Sequence, residues 1–227
     1  MAINIQSTNT ITTNGLKVLV YGQAGAGKTT LIKTLPKPLI LSAEGGLLSL
    51  RKENLPFIEI KNMPELREAH RWLYESEESN QFESIALDSI SEIAEVVLGS
   101  EKAVAKDPRQ AYGAMQDIMT ALIRAFRDLP GRHVYFSAKI ERQQNEMGQL
   151  LHSPAMPGQK LGQMLPYFFD EVLALRIGQN DKGEVQRMLM CASDGIWTAK
   201  DRSGQLSMWE PADLGAIMAK IGGEANV

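Results

Sequence analysis

Four short apolar runs punctuate the first 140 residues: KVLVYG (17–22), PLILSA (38–43), ESIALD (83–88) and HVYFSA (133–138). Their apolar positions follow one another instead of alternating, the pattern of strands covered by helices on both faces. Between the runs the spacing changes to three and four. From Gln110 to Leu129, Met115, Ile118, Met119, Leu122, Ala125, Phe126 and Leu129 share one helical face, and Pro130-Gly131 follows as a stop. From Pro64 to Ser76 a proline opens a helix whose stripe is Leu66, Ala69 and Leu73. Strand and helix in alternation predict an α/β fold with a mostly parallel central sheet flanked by helices.

The pattern changes after residue 168. DEVLALRIG, the turn QNDKGE and VQRMLMCAS predict a hairpin, IWTAK a further strand, and together they make a C-terminal antiparallel β extension of the same sheet. PADLGAIMAKI predicts a closing helix. Between the two regions, residues 141–163 hold three glycines and two prolines with poor periodicity, and predict a long loop of the kind that is usually functional or disordered. Residues 1–16 are expected to be an N-terminal arm whose AINIQS segment could add to a neighbour's sheet, and residues 17–227 one domain.

The turn after the first strand carries the chemistry. Gly22-Gln23-Ala24-Gly25-Ala26-Gly27-Lys28-Thr29-Thr30 contains the complete spacing of a phosphate-binding P-loop, placed between an apolar strand and a helical segment as that motif requires. Its glycines let successive N–H groups point inward at phosphate oxygens; Lys28 would neutralise the β and γ oxygens and Thr29 would ligate Mg²⁺. A second metal anchor is needed at the end of an apolar strand, and Asp88 in SIALDS supplies it while also standing where a helix N-cap would. No Asn-Lys-x-Asp element is present to read guanine, and DLPG (128–131) and SAK (137–139) stand too close together to flank one, so ATP is the expected nucleotide. Hydrolysis needs a group that orients water. Ser89, not glutamate, follows Asp88; Glu44 in LSAEGG, at the end of the second strand, is the leading candidate, with a turn-capping role beside Gly45-Gly46 as its alternative and Glu92 in reserve.

Composition narrows the partners. The 227 residues carry 24 basic and 27 acidic side chains, a formal charge of −3, so a nucleic acid would have to meet a local basic patch. Cys191, the single cysteine, lies in the apolar run RMLMCAS and reads as a small buried hydrophobe. Nothing resembles a signal peptide or a membrane span, which leads us to expect a soluble cytoplasmic protein without a membrane partner. His70, His133 and His152 are dispersed and do not make a zinc site; Trp72 and Trp197 fall in apolar patterns and read as core.

Taken together, GQAGAGKTT, the glutamate of LSAEGG, LDSI with serine after the aspartate, and AKDRSGQL resemble the RecA-type ATPase core, and within it the phage-encoded single-strand annealing recombinases of the Sak group, over roughly residues 15–210. The resemblance implies a RecA-like P-loop fold and supports Glu44 as activator of the attacking water. It maps onto Lys200 and Arg202 the paired cations that such ATPases insert into a neighbour's nucleotide site, which implies a homo-oligomer, ring or filament. It further implies single-stranded DNA as partner, with a single-stranded DNA-binding protein as another, and a bacterial host cytoplasm if phage-encoded. DNA contacts then fall on Lys102, Lys106 and Arg109 in residues 99–110, and on Lys139, Arg142 and Lys160 in and beside residues 141–163. Residues 131–163 carry four basic against two acidic residues and no stacking aromatic within the loop, so the bottom-up case for DNA there is modest. The family's polar amide that senses the γ-phosphate is replaced in FSAK by Ser137 and Lys139. Two other classes fit a P-loop of this size: an ATP-gated helicase-loading or replication scaffold, and a small-molecule kinase, which would need an arginine-rich lid where residues 141–163 offer one arginine.

Overall fold

The computed structural model describes residues 15–179 and 182–222. The four apolar runs become β1 (Lys17–Tyr21), β2 (Pro38–Ser42), β4 (Ser84–Asp88) and β5 (His133–Ala138), in which all but His133 are buried. No apolar run announces β3 (Phe57–Glu59), a three-residue strand on the sheet's edge that needs little burial. The C-terminal region adds β8 (Glu171–Gln179), β9 (Val185–Met190), β10 (Lys200–Asp201) and β11 (Trp209–Pro211). The sheet order is β11-β9-β8-β1-β5-β4-β2-β3, with β10 also on β8. β3, β2, β4, β5, β1 and β8 run parallel; β9 and β10 are antiparallel to β8, and β11 to β9. This is the mostly parallel α/β sheet, with an antiparallel C-terminal edge, that the alternation of patterns predicts.

Helices cover both faces because β1 is apolar on both. Leu19 and Tyr21 point into one core, shared with α2 (Met63–Glu75), α3 (Ile90–Val104) and α4 (Pro108–Arg127) through Leu66, Val97, Met119 and Phe126. Val18 and Val20 point into the other, against Leu31 of α1 (Lys28–Leu31), Ile32 beyond it, and Leu214 and Ile217 of α6 (Leu214–Gly222). Helix starts follow their caps: the side chains of Asn62, Ser89 and Asp107 accept the N–H groups of Glu65, Glu92 and Arg109. Among the described residues no helix is long and apolar enough to cross a membrane.

Three expectations are corrected. Residues 141–163 are not an irregular loop: they hold a hairpin of β6 (Ile140–Gln144) and β7 (Leu150–Pro154), followed by α5 (Gln159–Met164). The turn is built by Asn145, whose Oδ1 accepts from the N–H groups of Met147 and Gln149, with Gly148 at positive φ. Polar side chains on both faces of β6 hide the strand from a hydrophobic-period reading. Residues 99–110 are the end of α3 and the start of α4, leaving only 105–107 as a link. The strand expected at IWTAK shrinks to Lys200–Asp201, while Trp197 makes an isolated bridge to His152. The proposed arm lies outside the described residues apart from Gly15 and Leu16, and Asn180 and Asp181 of the β8–β9 turn lie outside them as well.

Candidate functional site

β5 lies between β1 and β4, so the loop after β1 and Asp88 at the end of β4 meet across one intervening strand at the C-terminal edge of the sheet. A cleft of about 520 Å³ opens there, lined by Gly22, Ala24, Gly25, Gly27, Lys28, Thr29, Thr30, Glu44, Gly46, Ser49, Asp88, Lys139 and Ile140. The larger cavity of about 660 Å³ between α2 and α4 is lined by apolar side chains such as Leu66, Ile118 and Phe126 together with Arg67, Arg71 and Asp117, and contains none of this machinery.

The loop has the sharp turns its glycines allow. Gly25 and Gly27 take φ of 75° and 104°. A Cβ at Gly22 would stand 2.9 Å from the carbonyl oxygen of Leu175, so the loop leaves the sheet pressed against β8. Lys28 Nζ donates to the carbonyls of its own loop, Gly22 at 2.9 Å and Gln23 at 3.0 Å. Burial lowers the Lys28 pKa, while Asp88 and Glu44 oppose that shift by favouring the charged form. Tyr135, fully buried on β5, donates its hydroxyl to the Lys28 carbonyl at 2.8 Å.

Asp88 is 3 % exposed and accepts from two hydroxyls: Thr29 Oγ1 on Oδ2 at 2.7 Å and Ser137 Oγ on Oδ1. Burial raises its pKa, the two hydrogen bonds pull the other way, and the neighbouring Glu44 charge adds to the rise. A hydroxyl and a carboxylate held within one hydrogen bond form a hard-oxygen pair that fits Mg²⁺, which takes one or two protein oxygens and completes its shell with water and phosphate. The Asp88–Ser89 peptide bond is cis. Ser89 then does two things: its Oγ accepts the Glu92 N–H at 3.3 Å, capping α3, and donates to Glu44 Oε1. Glu44 is exposed on the cleft wall, and Glu92 is turned to Lys139, whose Nζ it meets at 2.6 Å.

The remaining candidates separate. Lys139 belongs to the phosphate cleft, directly before the hairpin, and its bond to Glu92 raises its pKa. Lys102 lies 5.2 Å over the ring of Tyr112, Lys106 is in the α3–α4 link and Arg109 is in the first turn of α4. Arg142 is exposed on β6 opposite His152, and Lys160 is exposed on α5. The fold brings these two stretches together: a Cβ at Gly158, two residues before Lys160, would stand 3.4 Å from Tyr112. Lys200 and Arg202 sit elsewhere. Asp201 between them pairs with Glu171, which lies beside Val18 near the start of β1, whereas the P-loop leaves the other end of that strand. Within one chain the pair is therefore remote from the cleft. Lys200 Nζ donates to the carbonyls of Pro166 and Phe169 at 2.9 and 2.5 Å, and Arg202 NH1 meets Asp170 Oδ1 at 2.8 Å. Trp197 is half-buried, as its apolar context predicts, yet it also stacks on His152 at 4.0 Å and under Arg176 at 4.1 Å.

Sequence reasoning missed the pairing of Ser137 with Asp88, the Tyr135 contact and Arg187, whose Nε donates to the Ala26 carbonyl at 2.9 Å. A serine at the end of an apolar strand next to the aspartate strand could have signalled the first. Arg187, 161 residues away, had no local signal.

Comparison with curated protein sequences finds no match. Among solved structures, a KaiC-like protein from the hyperthermophilic archaeon Pyrococcus horikoshii OT3 superposes with a TM-score of 0.41 and 15% identity, covering 78% of each chain. The sequence model of the AAA domain matches residues 14–203, which takes in the P-loop, Glu44, Asp88, the hairpin and the Lys200–Arg202 turn. The chain belongs to the AAA domain family of P-loop ATPases.

Proposed function

We propose that this chain is a Mg²⁺-dependent ATPase that binds single-stranded DNA as a homo-oligomer and promotes its annealing in recombination. The observation that supports turnover is the convergence on one cleft of Lys28, the Thr29–Asp88 pair and the Glu44 carboxylate. Lys28 exchanges its two loop carbonyls for the β and γ oxygens of ATP. Thr29 and Asp88 hold Mg²⁺, which supplies charge neutralisation at the phosphates. Glu44, oriented by Ser89, accepts the proton of the attacking water. Ser137 fixes the second oxygen of Asp88.

DNA as the substrate rests on the resemblance of the sequence motifs to annealing recombinases. Its geometric support is that Lys102, Lys106 and Arg109 lie on one stretch and Arg142 and Lys160 on another, and that the two stretches approach each other at Tyr112 and Gly158. Lys139 leaves that group and serves the phosphates. Lys200 and Arg202, remote from their own cleft, complete a neighbour's site.

The test is ATP turnover of the full chain with and without single-stranded DNA at low salt, alongside its assembly state. Stimulation by DNA together with rings or filaments supports the reading. Turnover indifferent to DNA at low salt, where phosphate contacts are strongest, removes the DNA role. DNA-independent partner binding with no measurable turnover makes the chain an ATP-gated scaffold instead.

A further inference from the structure

Several carbonyl groups of the phosphate loop have defined partners. Gly22 and Gln23 offer theirs to Lys28 Nζ, Gly27 offers its own to the Leu31 N–H at 3.0 Å, and Lys28 to the Tyr135 hydroxyl at 2.8 Å. The Ala26 carbonyl stands between two residues of positive φ, Gly25 and Gly27, where the loop turns most sharply. Its donor comes from the other end of the sequence: Arg187 Nε, at 2.9 Å.

Arg187 sits on β9 opposite Ile177 of β8. Leu189, two residues on and so on the same face, packs in the core that holds Leu31 and Ile32, which places Arg187 on the α1 side of the sheet. Its side chain runs along the loop itself. A Cβ at residue 27 would stand 3.1 Å from Arg187 Nε and 3.3 Å from Cδ, so glycine at 27 leaves room for the arginine as well as permitting the backbone angle.

We propose that Arg187 is a positioning residue for the nucleotide site, acting through the Ala26–Gly27 peptide. In a trans peptide the C=O and the following N–H point in opposite directions. Holding the Ala26 carbonyl on the outer side of the loop therefore fixes the Gly27 N–H on the inner side, where phosphate oxygens are received. The guanidinium also places a positive charge against the back of the loop. Arg187 touches no reacting atom; it keeps one donor of the cradle pre-aimed, and it ties the antiparallel edge of the sheet to nucleotide binding. The inference rests on the reading of the cleft as an ATP site.

The test is equilibrium titration of the full chain with ATP, ADP and inorganic pyrophosphate, for wild type, Arg187→Met and Arg187→Lys, with the melting temperature of each nucleotide-free protein. Arg187→Met is expected to weaken all three ligands by a common factor of about tenfold, the scale of one charge-assisted hydrogen bond, and Arg187→Lys to recover part of it. Unchanged affinity in Arg187→Met overturns the proposal. So does a loss confined to ATP and ADP, which would mean direct contact with the nucleoside. A lowered melting temperature with unchanged affinity also overturns it, since a purely structural arginine behaves that way. Wild-type protein that binds none of the three overturns the ATP-site reading and the proposal with it.

Discussion

Thr29 Oγ1 donates a 2.7 Å hydrogen bond to Asp88 Oδ2, joining the first turn after the P-loop to the end of a strand two places away in the sheet. The bond aligns the two oxygens that a hard divalent cation would share, and Ser137 holds the other Asp88 oxygen in place. Thr29→Val keeps the volume and removes the hydroxyl. The expected outcome is a folded protein whose ATP binding no longer responds to Mg²⁺ and whose turnover falls by roughly 10²-fold or more. Titration of ATP with and without Mg²⁺ checks it. Mg²⁺ dependence that survives in Thr29→Val would remove Thr29 from the metal shell.

Glu44 is exposed, and among the described residues its side chain accepts from the Ser89 hydroxyl. Glu44→Gln retains the shape and hydrogen bonding of the side chain but cannot accept a proton. ATP affinity is expected to stay within about twofold while turnover drops roughly 10²- to 10⁴-fold, the usual contribution of a general base. Ser89→Ala should show a smaller turnover loss together with about 1 kcal/mol of destabilisation, because the same hydroxyl caps α3. If Glu44→Gln hydrolyses ATP at the wild-type rate, the base lies elsewhere, and Glu92 is the next residue to substitute.

The parts of this site that the sequence displays are the local ones. Gly22 to Thr30 and Asp88 each announce themselves by a strand that ends in a chemically distinctive residue, and Glu44 does so at the next strand along. The four core strands were legible for the same reason: burial on both faces leaves an uninterrupted apolar run. The hairpin at Ile140–Pro154 was not, because it stands outside the main sheet and carries polar side chains such as Arg142 and Gln144. β3 hid behind its edge position. Arg187 and Ser137 reach the site through tertiary register alone, across 161 and 49 residues, and no window of sequence contains both partners.

Glu171 is fully buried, and its Oε2 finds no partner among the described residues. Burial pushes its pKa up to about 8, helped by the Asp201 carboxylate facing it across the strand pair. The unfolded chain loses this proton near 4.5, so between 4.5 and 8 the folded state holds more protons and stability falls as pH rises. Glu171→Gln mimics the protonated form at every pH. It should melt close to wild type at pH 4.5 and above it at pH 8, gaining up to about 1.4 kcal/mol for each pH unit between. Melting curves across that range decide the matter, and a gap that does not widen with pH would mean that Glu171 is ionised in the fold.

Cys191 is fully buried, its thiol pKa pushed up to about 12 by burial, and Sγ lies 3.5 Å from the Leu189 carbonyl. A thiol of that kind is protonated and inaccessible at neutral pH. Labelling by a thiol reagent should therefore proceed at the rate of unfolding, complete within minutes in denaturant and negligible in native buffer. Rapid labelling of the native protein would show that the β9 edge opens.

The Lys200–Arg202 turn allows the strongest test of a shared site. Asp201 builds the turn by accepting the N–H groups of Gly204 at 3.0 Å and Leu206 at 2.9 Å, which presents its two cationic neighbours at the end of the sheet opposite the P-loop. If Arg202 serves a neighbour, Arg202→Ala binds ATP normally but loses turnover by on the order of 10³-fold, the scale of an arginine supplied in trans. Lys28→Ala fails for a different reason, having lost the lysine of its own phosphate cradle while keeping an intact Arg202. Neither protein alone should hydrolyse ATP. Mixed in equal amounts in a head-to-tail ring or filament, about a quarter of the interfaces would join an intact Lys28 to an intact Arg202, and turnover should recover to that fraction of wild type. Recovery on mixing can arise only when the two residues meet across an interface. Two inactive proteins that stay inactive together, at concentrations where the assembly is intact, would confine Arg202 to its ion pair with Asp170.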